Sequence, residues 1–290
     1  MPEPCLPPLD MHATRTIAPT DVARFVRLQQ CERFLRFRLH ERTLGTGFMA
    51  DYGVQAQQIP LLFPRSGLEF EDQIEAEAAA AFPSRSFRQP AHERGTWTDD
   101  NAAVLAQARA LAAGETTLLF QPRLQADVNG WRMRGAVDVL RMRRDDEGRL
   151  SILIADMKAT RATKIEHRLQ VAFYQVMISA IFAEANEPLA GIEIAILFRG
   201  SLSPDPALTD EERAELERQR QEAVDQLGTS VGYLEIVRDP QHYVDAVEDL
   251  VTGEHSTARR VAAQPFEDVP FHIGRHCDGC IFNEYCMKWS

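Results

Sequence analysis

Lysine is scarce in this chain of 290 residues. Of its 32 basic side chains, only Lys158, Lys164 and Lys288 are lysines, and the others are arginines. Arginine forks match phosphate geometry better than a lysine ammonium does. The net charge of −11 argues against a protein that coats nucleic acid over its whole surface. Any contact with nucleic acid is therefore expected to be local.

Long apolar segments and targeting signals are also missing. The longest apolar run, near residues 171–183, is interrupted by Gln175 and is too short to span a bilayer. The N-terminal sequence MPEPCLPPLD lacks the charged-then-apolar pattern of a signal peptide. We therefore expect a cytoplasmic protein with no membrane partner. The absence of a GxxxxGK[ST] loop excludes an ATP-driven motor of that type.

The apolar periodicity predicts helices and strands that alternate along the chain. Thr20 and Asp21 are expected to cap a helix that runs to Arg42. Further helices are predicted over 66–82, 99–113, 164–186, 209–227 and 241–253, and strands over 116–128, 131–142, 151–160, 191–198 and 233–237. Asn129-Gly130 between two strand-like runs predicts a tight hairpin in an antiparallel meander. The order indicates an α/β fold with a mixed central sheet flanked by helices.

Acidic residues and a lysine occur on neighbouring predicted elements. Asp156 and Lys158 are two apart on one strand, so their side chains share a face. Asp138 lies on the preceding hairpin strand and Glu71 on an earlier helix. Each feature alone is common as a surface ion pair or a turn. Their order along the chain favours a site for a hard divalent cation over these common alternatives, because Mg²⁺ and Mn²⁺ prefer oxygen ligands.

Gln170 and Tyr174 are four apart on the next helix and therefore share a helical face. Such a pair usually packs in a core. After the acids and the lysine, it can instead help to hold a DNA strand. A divalent cation would polarise a phosphate and activate water, and the lysine would offset charge on the phosphate oxygens.

The whole series resembles the PD-(D/E)xK nucleases of the RecB-like group, which includes the RecB and AddB nuclease domains and the CRISPR-adaptation nucleases. This resemblance implies that Glu71, Asp138 and Asp156 bind Mg²⁺ or Mn²⁺ together with the backbone carbonyl of Met157. It further implies a catalytic role for Lys158, with a motif completed by Gln170 and Tyr174. Many members have histidine where Glu71 stands, and an acid is chemically sound there.

Cysteine is clustered near the C-terminus, where Cys277, Cys280 and Cys286 form C-x2-C-x5-C. Cys31 is the candidate fourth ligand, whereas Cys5 in the proline-rich tail is not expected to bind metal. Four thiolates suit either zinc or a [4Fe–4S] cluster, and spacing alone does not separate the two. Iron–sulfur members of the resembled group have one cysteine before the core and this trio after it. The resemblance therefore implies a [4Fe–4S] cluster, with zinc as the alternative.

The resemblance covers about residues 20–286 and implies a restriction-endonuclease-like core. We expect a flexible tail over 1–17, a helical region with the first cluster cysteine over 18–65, the nuclease core over 66–240 and a C-terminal helical region over 241–290. The iron–sulfur cluster would join the two helical regions and have a structural role, because closing so long a loop costs roughly 5 kcal/mol and thiolate ligation gives more.

The function implied by the resemblance is that of a metal-dependent deoxyribonuclease. The expected substrate is DNA with single-stranded ends or flaps, cut as by an exonuclease. The expected setting is DNA repair, recombination or CRISPR adaptation, with a helicase or CRISPR adaptation proteins as partners. Two alternatives stand beside it: an inactive DNA-binding or adaptor protein on the same fold, and a cysteine-ligated zinc protein with unrelated activity.

Overall fold

The computed structural model describes residue 9 and residues 14–44, 62–88, 97–200 and 208–289. The α-helices in these ranges are α1 (Pro19–Arg27), α2 (Glu32–Leu44), α3 (Leu62–Ala81), α4 (Asn101–Ala110), α5 (Ile165–Glu184), α6 (Asp210–Leu227), α7 (Gln241–Val247), α8 (Thr257–Ala263) and α9 (Asn283–Trp289). The strands are β1 (Arg15–Ile17), β2 (Ser84–Ser86), β3 (Thr116–Phe120), β4 (Arg123–Val128), β5 (Trp131–Ala136), β6 (Val139–Arg144), β7 (Leu150–Lys158), β8 (Leu189–Phe198) and β9 (Tyr233–Ile236).

The main sheet is mixed, with six strands in the order β2-β3-β6-β7-β8-β9. Strands β3, β6 and β7 pair antiparallel, β7 and β8 pair parallel, and β8 and β9 pair antiparallel. A smaller sheet has the order β1-β5-β4. The predicted α/β architecture with a mixed central sheet is confirmed, and it is consistent with a restriction-endonuclease-like fold.

Helices cover both faces of the main sheet. Strand β7 shows why, because its successive side chains enter different cores: Ile152 and Ile154 join a core with α1, α2 and α5, whereas Leu153 and Ala155 join a core with α3 and α6. A strand buried on both faces reads as a continuous apolar run. The run ends at Asp156, which therefore lies on the α5 side.

The two strands predicted over 116–128 and 131–142 are each broken in the middle. Pro122 lacks a backbone N–H and cannot take part in a central ladder, so the chain leaves the main sheet after β3 and re-enters it at β6. The intervening strands β4 and β5 form the smaller sheet. The hairpin turn between them is confirmed at Asn129 and Gly130, which have φ angles of 49° and 82°.

The N-terminal region differs from the prediction in two ways. Its helix is interrupted at Gln29 and Gln30, which have φ angles of 53° and 58°, so α1 and α2 are separate. Residues 15–17, expected in the loose tail, form β1 and pair parallel with β5. The helix start also shifts, because Ala18 is the N-cap and Asp21 is the third helical residue, whose side chain accepts from the Ala18 N–H at 3.0 Å.

Aromatic side chains join the N-terminal helices to the C-terminal segment. The Phe37 ring lies 4.8 Å from that of Phe282 and 4.9 Å from that of Tyr285, measured between centroids. An ion pair between Arg260 and Glu32 at 2.6 Å links α8 to α2. None of the helices in the described ranges has the length and apolar character needed to cross a bilayer.

Candidate active site

One cavity of about 680 Å³ lies where the carboxyl end of β7 meets α3, α5 and the N-terminal helices. It is lined by every residue that the sequence predicted for the acid–lysine site, namely Glu71, Asp138, Asp156, Met157, Lys158, Gln170 and Tyr174. These residues come from four parts of the chain. The structure thus brings the predicted set together, whereas the role of each residue remains a prediction.

Asp156 and Lys158 share one face of β7, as the strand period requires. The Asp156 side chain is only 1% exposed, and Lys158 Nζ lies 2.6 Å from its Oδ2 atom. Gln170 Nε2 donates to the other oxygen at 3.0 Å. Burial raises the pKa of Asp156 to about 8, opposed by the Lys158 ammonium and assisted by the Asp138 carboxylate. A cation at this position would stabilise the ionised carboxylate.

Asp138 lies in the two-residue break between β5 and β6, not within a strand as predicted. Its carboxylate accepts from Gln121 Nε2 at 3.0 Å and from the Met157 N–H at 2.7 Å. Gln121 has a φ angle of 55° in the matching break between β3 and β4. The two breaks therefore position the Asp138 carboxylate beside the end of β7.

Glu71 lies on α3 across the cavity and shares its carboxylate with Arg88, whose Nη2 atom is 3.3 Å away. Burial and the Asp138 charge raise the pKa of Glu71, and Arg88 and Lys158 oppose this shift. Burial also disfavours the Lys158 ammonium, but Asp156, Asp138 and Glu71 outweigh that effect and raise the pKa of Lys158. Lys158 is therefore a cation at neutral pH, held by negative charge.

Gln170 and Tyr174 share one face of α5, as their spacing predicts. Gln170 holds Asp156, and the Tyr174 hydroxyl donates to the backbone carbonyl of Ala136 at the break beside Asp138. Gly135 makes this approach possible, because a Cβ atom there would lie 2.6 Å from Tyr174 Cε1. Gln170 therefore orients the Asp156 side chain directly, whereas Tyr174 orients the backbone next to Asp138.

The donor atoms suit a hard divalent cation, because they are carboxylate oxygens and a backbone carbonyl oxygen. Burial, together with repulsion from Asp138, raises the pKa of both Asp156 and Glu71. A cation bound here would relieve that repulsion. As the side chains stand, however, no group of three or more His, Cys, Asp or Glu residues in the described ranges is arranged to hold a metal ion. Binding would require these side chains to move closer together.

Trp97 and Arg134 also line the cavity, and neither carried a motif in the sequence. Arg38 and Arg42 line it as well; the basic stretch to which they belong suited a phosphate-contacting helix face and a solvated face equally. Gln121, which holds Asp138, was also missed. Its signal was the following Pro122, because proline inside a predicted strand argues for a break.

The four predicted cluster cysteines are not in disulfide bonds; Cys31 lies directly before α2, and the other three lie in the C-terminal segment. Burial raises the pKa of Cys280 to about 11 and that of Cys286 to about 12, and Cys31 and Cys277 are close enough to contribute to both shifts. Cys5 lies outside the described residues. Sulfur donors suit zinc or iron, but here too the described side chains do not form a ready ligand group.

The comparisons with known proteins identify a family for this chain. The family model of the PD-(D/E)XK nuclease superfamily matches residues 38–287. Among solved structures, the chain is similar to that of SSO0001, with 15% identity and a TM-score of 0.30, over 95% of this chain and 87% of that one. A TM-score this low supports no conclusion about function. No curated protein matches the chain.

Proposed function

Because the chain belongs to the PD-(D/E)XK nuclease superfamily, we propose that it is a divalent-metal-dependent deoxyribonuclease that hydrolyses phosphodiester bonds. The observation that carries the proposal is the meeting of Glu71, Asp138, Asp156 and Lys158 in one cavity. Members of the superfamily are generally nucleases that use Mg²⁺ or Mn²⁺, so DNA is the expected substrate.

In this proposal Glu71, Asp138, Asp156 and the carbonyl of Met157 hold the cation. When bound, Mg²⁺ or Mn²⁺ supplies a Lewis acid for the phosphate and lowers the pKa of water. Gln170 keeps the Asp156 carboxylate in place through Oδ1. Gln121 and the Met157 N–H do the same for Asp138. The orientation of the acids thus depends on bonds within the protein.

Lys158 is the proposed catalytic residue. Its side chain is 23% exposed and its ammonium lies beside Asp156, so it can donate to a phosphate oxygen while it keeps this ion pair. Charge that develops on the phosphate oxygens during hydrolysis would be stabilised by this fixed positive charge. Tyr174 contributes by fixing the break that carries Asp138.

We also propose the finer assignments that the cysteines support. The chain would belong to the RecB-like group, with a [4Fe–4S] cluster held by Cys31, Cys277, Cys280 and Cys286. Such a cluster would join the N-terminal and C-terminal helical regions. Zinc is the alternative, and iron and zinc analysis of anaerobically purified protein, together with visible absorption, separates the two.

The proposed activity is that of an exonuclease on single-stranded ends or flaps. Repair, recombination or CRISPR adaptation would be its setting, with a helicase or adaptation proteins as partners. The chain has a net charge of −11, but arginines line part of the cavity. This local positive charge supports the entry of a DNA strand at the cavity.

Cleavage of end-labelled DNA tests the proposed function. Single-stranded and duplex substrates are incubated with Mg²⁺, Mn²⁺ or EDTA and the parent chain, Lys158→Ala, Asp156→Asn or Lys164→Ala. We expect metal-dependent cutting by the parent and a loss of about 100-fold or more in both cavity variants. Lys164 is an exposed lysine outside the cavity, so its variant is the matched control and should cut like the parent.

Two results would contradict this assignment. If a folded Lys158→Ala variant cuts DNA as fast as the parent, Lys158 is not a catalytic residue. DNA binding by the parent without metal-dependent cleavage would favour the alternative of an inactive DNA-binding or adaptor protein. Thermal unfolding of each variant shows whether a loss of activity reflects a loss of fold.

A further inference from the structure

The cavity that contains the acids also has a basic wall. Arg38 and Arg42 of α2 line this wall together with Arg134 of β5 and Trp97. A chain with a net charge of −11 repels nucleic acid over most of its surface. Arginines clustered beside the acid–lysine site therefore give this cavity a positive charge that the chain as a whole lacks.

The two arginines of α2 are held in place by one buried carboxylate. Asp21 is 1% exposed and accepts from Arg38 Nε at 2.8 Å and from Arg42 Nε at 2.9 Å. Arg38 Nη1 also donates to Glu41 at 2.7 Å, and Arg42 Nη2 lies 3.4 Å from Asp21 Oδ1 and from Thr20 Oγ1. A guanidinium has five N–H donors in a rigid fork, so these bonds leave Nη2 of Arg38 and Nη1 of Arg42 for a further acceptor. Both arginines can therefore bind a phosphate oxygen without leaving Asp21, and little side-chain entropy would be lost on binding.

Trp97 and Arg134 form the other half of the wall. The Arg134 guanidinium lies 5.8 Å from the centre of the Trp97 ring, and its Nε donates to Gln125 Oε1 at 2.7 Å. Trp97 is only partly buried, although its Nε1 atom is fully enclosed. A partly exposed indole on the wall of a polar cavity offers a ring face on which any base can stack.

We propose that this wall, made of Arg38, Arg42, Arg134 and Trp97, holds the single DNA strand that leads to the acids. The arginines bind its phosphates, and Trp97 stacks on one base. This inference rests on the proposed nuclease function and assigns the residues that hold its single-stranded substrate. A cavity of about 680 Å³ has room for a short stretch of one strand. Contacts to phosphates and ring faces carry no base code, so binding is expected to be independent of sequence.

Binding in EDTA tests this wall without cleavage. The anisotropy of fluorescein-labelled oligo(dT) and of a blunt duplex is measured with the full chain and its variants. We expect tighter binding of the single strand, with Trp97→Ala weakening it about tenfold and Trp97→Phe restoring most of the loss. Arg42→Gln should weaken binding and lower the salt dependence, the slope of log K against log salt, by about 0.7.

The matched control is Arg149→Gln, which removes a positive charge from an exposed turn outside the cavity and should bind oligo(dT) like the parent. In the cleavage assay, Trp97→Ala should raise KM more than it lowers kcat, as expected of a residue that positions the strand. If the parent cuts DNA but Trp97→Ala and Arg42→Gln bind oligo(dT) as tightly as the parent, the wall does not hold the strand, whereas the proposed nuclease function is unaffected. If the parent neither binds nor cuts DNA, the proposed function itself fails.

Discussion

At the scale of single residues, Lys158 stands out in a chain that uses arginine almost everywhere else. Its compact ammonium lies 2.6 Å from Asp156 Oδ2 and remains partly exposed to the cavity. A guanidinium would bind the carboxylate with two parallel hydrogen bonds and block both of its oxygens. A lysine contacts one oxygen and leaves the carboxylate able to bind a cation.

His167, in the first turn of α5, is a buried histidine that bears on stability. Its Nδ1 atom has no hydrogen-bond partner in the part of the chain that the structure describes. Burial lowers its pKa from 6.5 to about 4. The nearby charges of Lys158, Lys164 and Arg168 add to the shift, and Glu166 opposes it. The folded protein therefore keeps His167 neutral where an unfolded chain would protonate it.

The stabilising contribution of a neutral His167 is complete above about pH 6.5 and is lost as the pH falls toward 4. Between about pH 7 and pH 5 we expect the free energy of unfolding to fall by about 2 kcal/mol through this residue. Urea unfolding of the parent and of His167→Gln at the two pH values measures it. Equal losses in the two proteins would mean that His167 does not titrate in this way.

At the scale of secondary-structure elements, Asp21 connects α1 to α2. Its carboxylate accepts from the Ala18 N–H at the start of α1 at 3.0 Å and binds Arg38 and Arg42 of α2. The chain reverses between the two helices at Gln29 and Gln30, whose backbones are left-handed. One buried side chain thus fixes the angle of two short helices that would be marginal alone.

Asp21→Asn should lower the free energy of unfolding by about 2–3 kcal/mol, because hydrogen bonds to charged groups are lost in a buried place. The control is Glu41→Gln, which removes only the i,i+3 partner of Arg38 and should cost less than about 1 kcal/mol. Denaturant unfolding curves of the three proteins give both values. A similar cost for the two changes would show that Asp21 does not have this linking role.

At the scale of the whole molecule, the C-terminal segment returns to the N-terminal helices. Phe37 packs on Phe282 and Tyr285. Cys280 belongs to the same apolar core, and Cys31 and Cys286 pack against that core. Aromatic packing alone gives about 0.5–1.5 kcal/mol per pair beyond burial. A bound metal centre would add far more, because ligation at a four-thiolate site is worth about 10 kcal/mol or more.

Cys31→Ser should therefore remove most of the bound iron or zinc and lower the melting temperature by many degrees. The matched control is Cys5→Ser, which should keep the metal content of the parent. Metal analysis and thermal unfolding are measured on the same samples. Retention of full metal content by Cys31→Ser would exclude Cys31 as a ligand and leave the C-terminal trio to bind metal without it.

The main elements of the fold were predictable from the sequence because they depend on local periodicity. The apolar run of β7, the hairpin at Asn129-Gly130 and the length of α5 all follow from patterns within a few residues. The breaks at Pro122 and at Gln29 were missed, because the apolar pattern continues across them. The break at Gln29 depends on a left-handed backbone conformation, and the break at Pro122 depends on a missing N–H donor. Apolar periodicity contains information about neither.

The acid–lysine site was readable for a similar reason: strand and helix periods place Asp156 with Lys158, and Gln170 with Tyr174, on common faces. The sequence by itself thus determined the alternation of elements, the residue types of the site and the clustering of cysteines. Only the tertiary structure decided that Glu71 and Asp138 face the end of β7, and that Trp97 and Arg134 share their cavity. These neighbours lie far apart along the chain, and such contacts depend on how the sheets and helices pack, which no local pattern records.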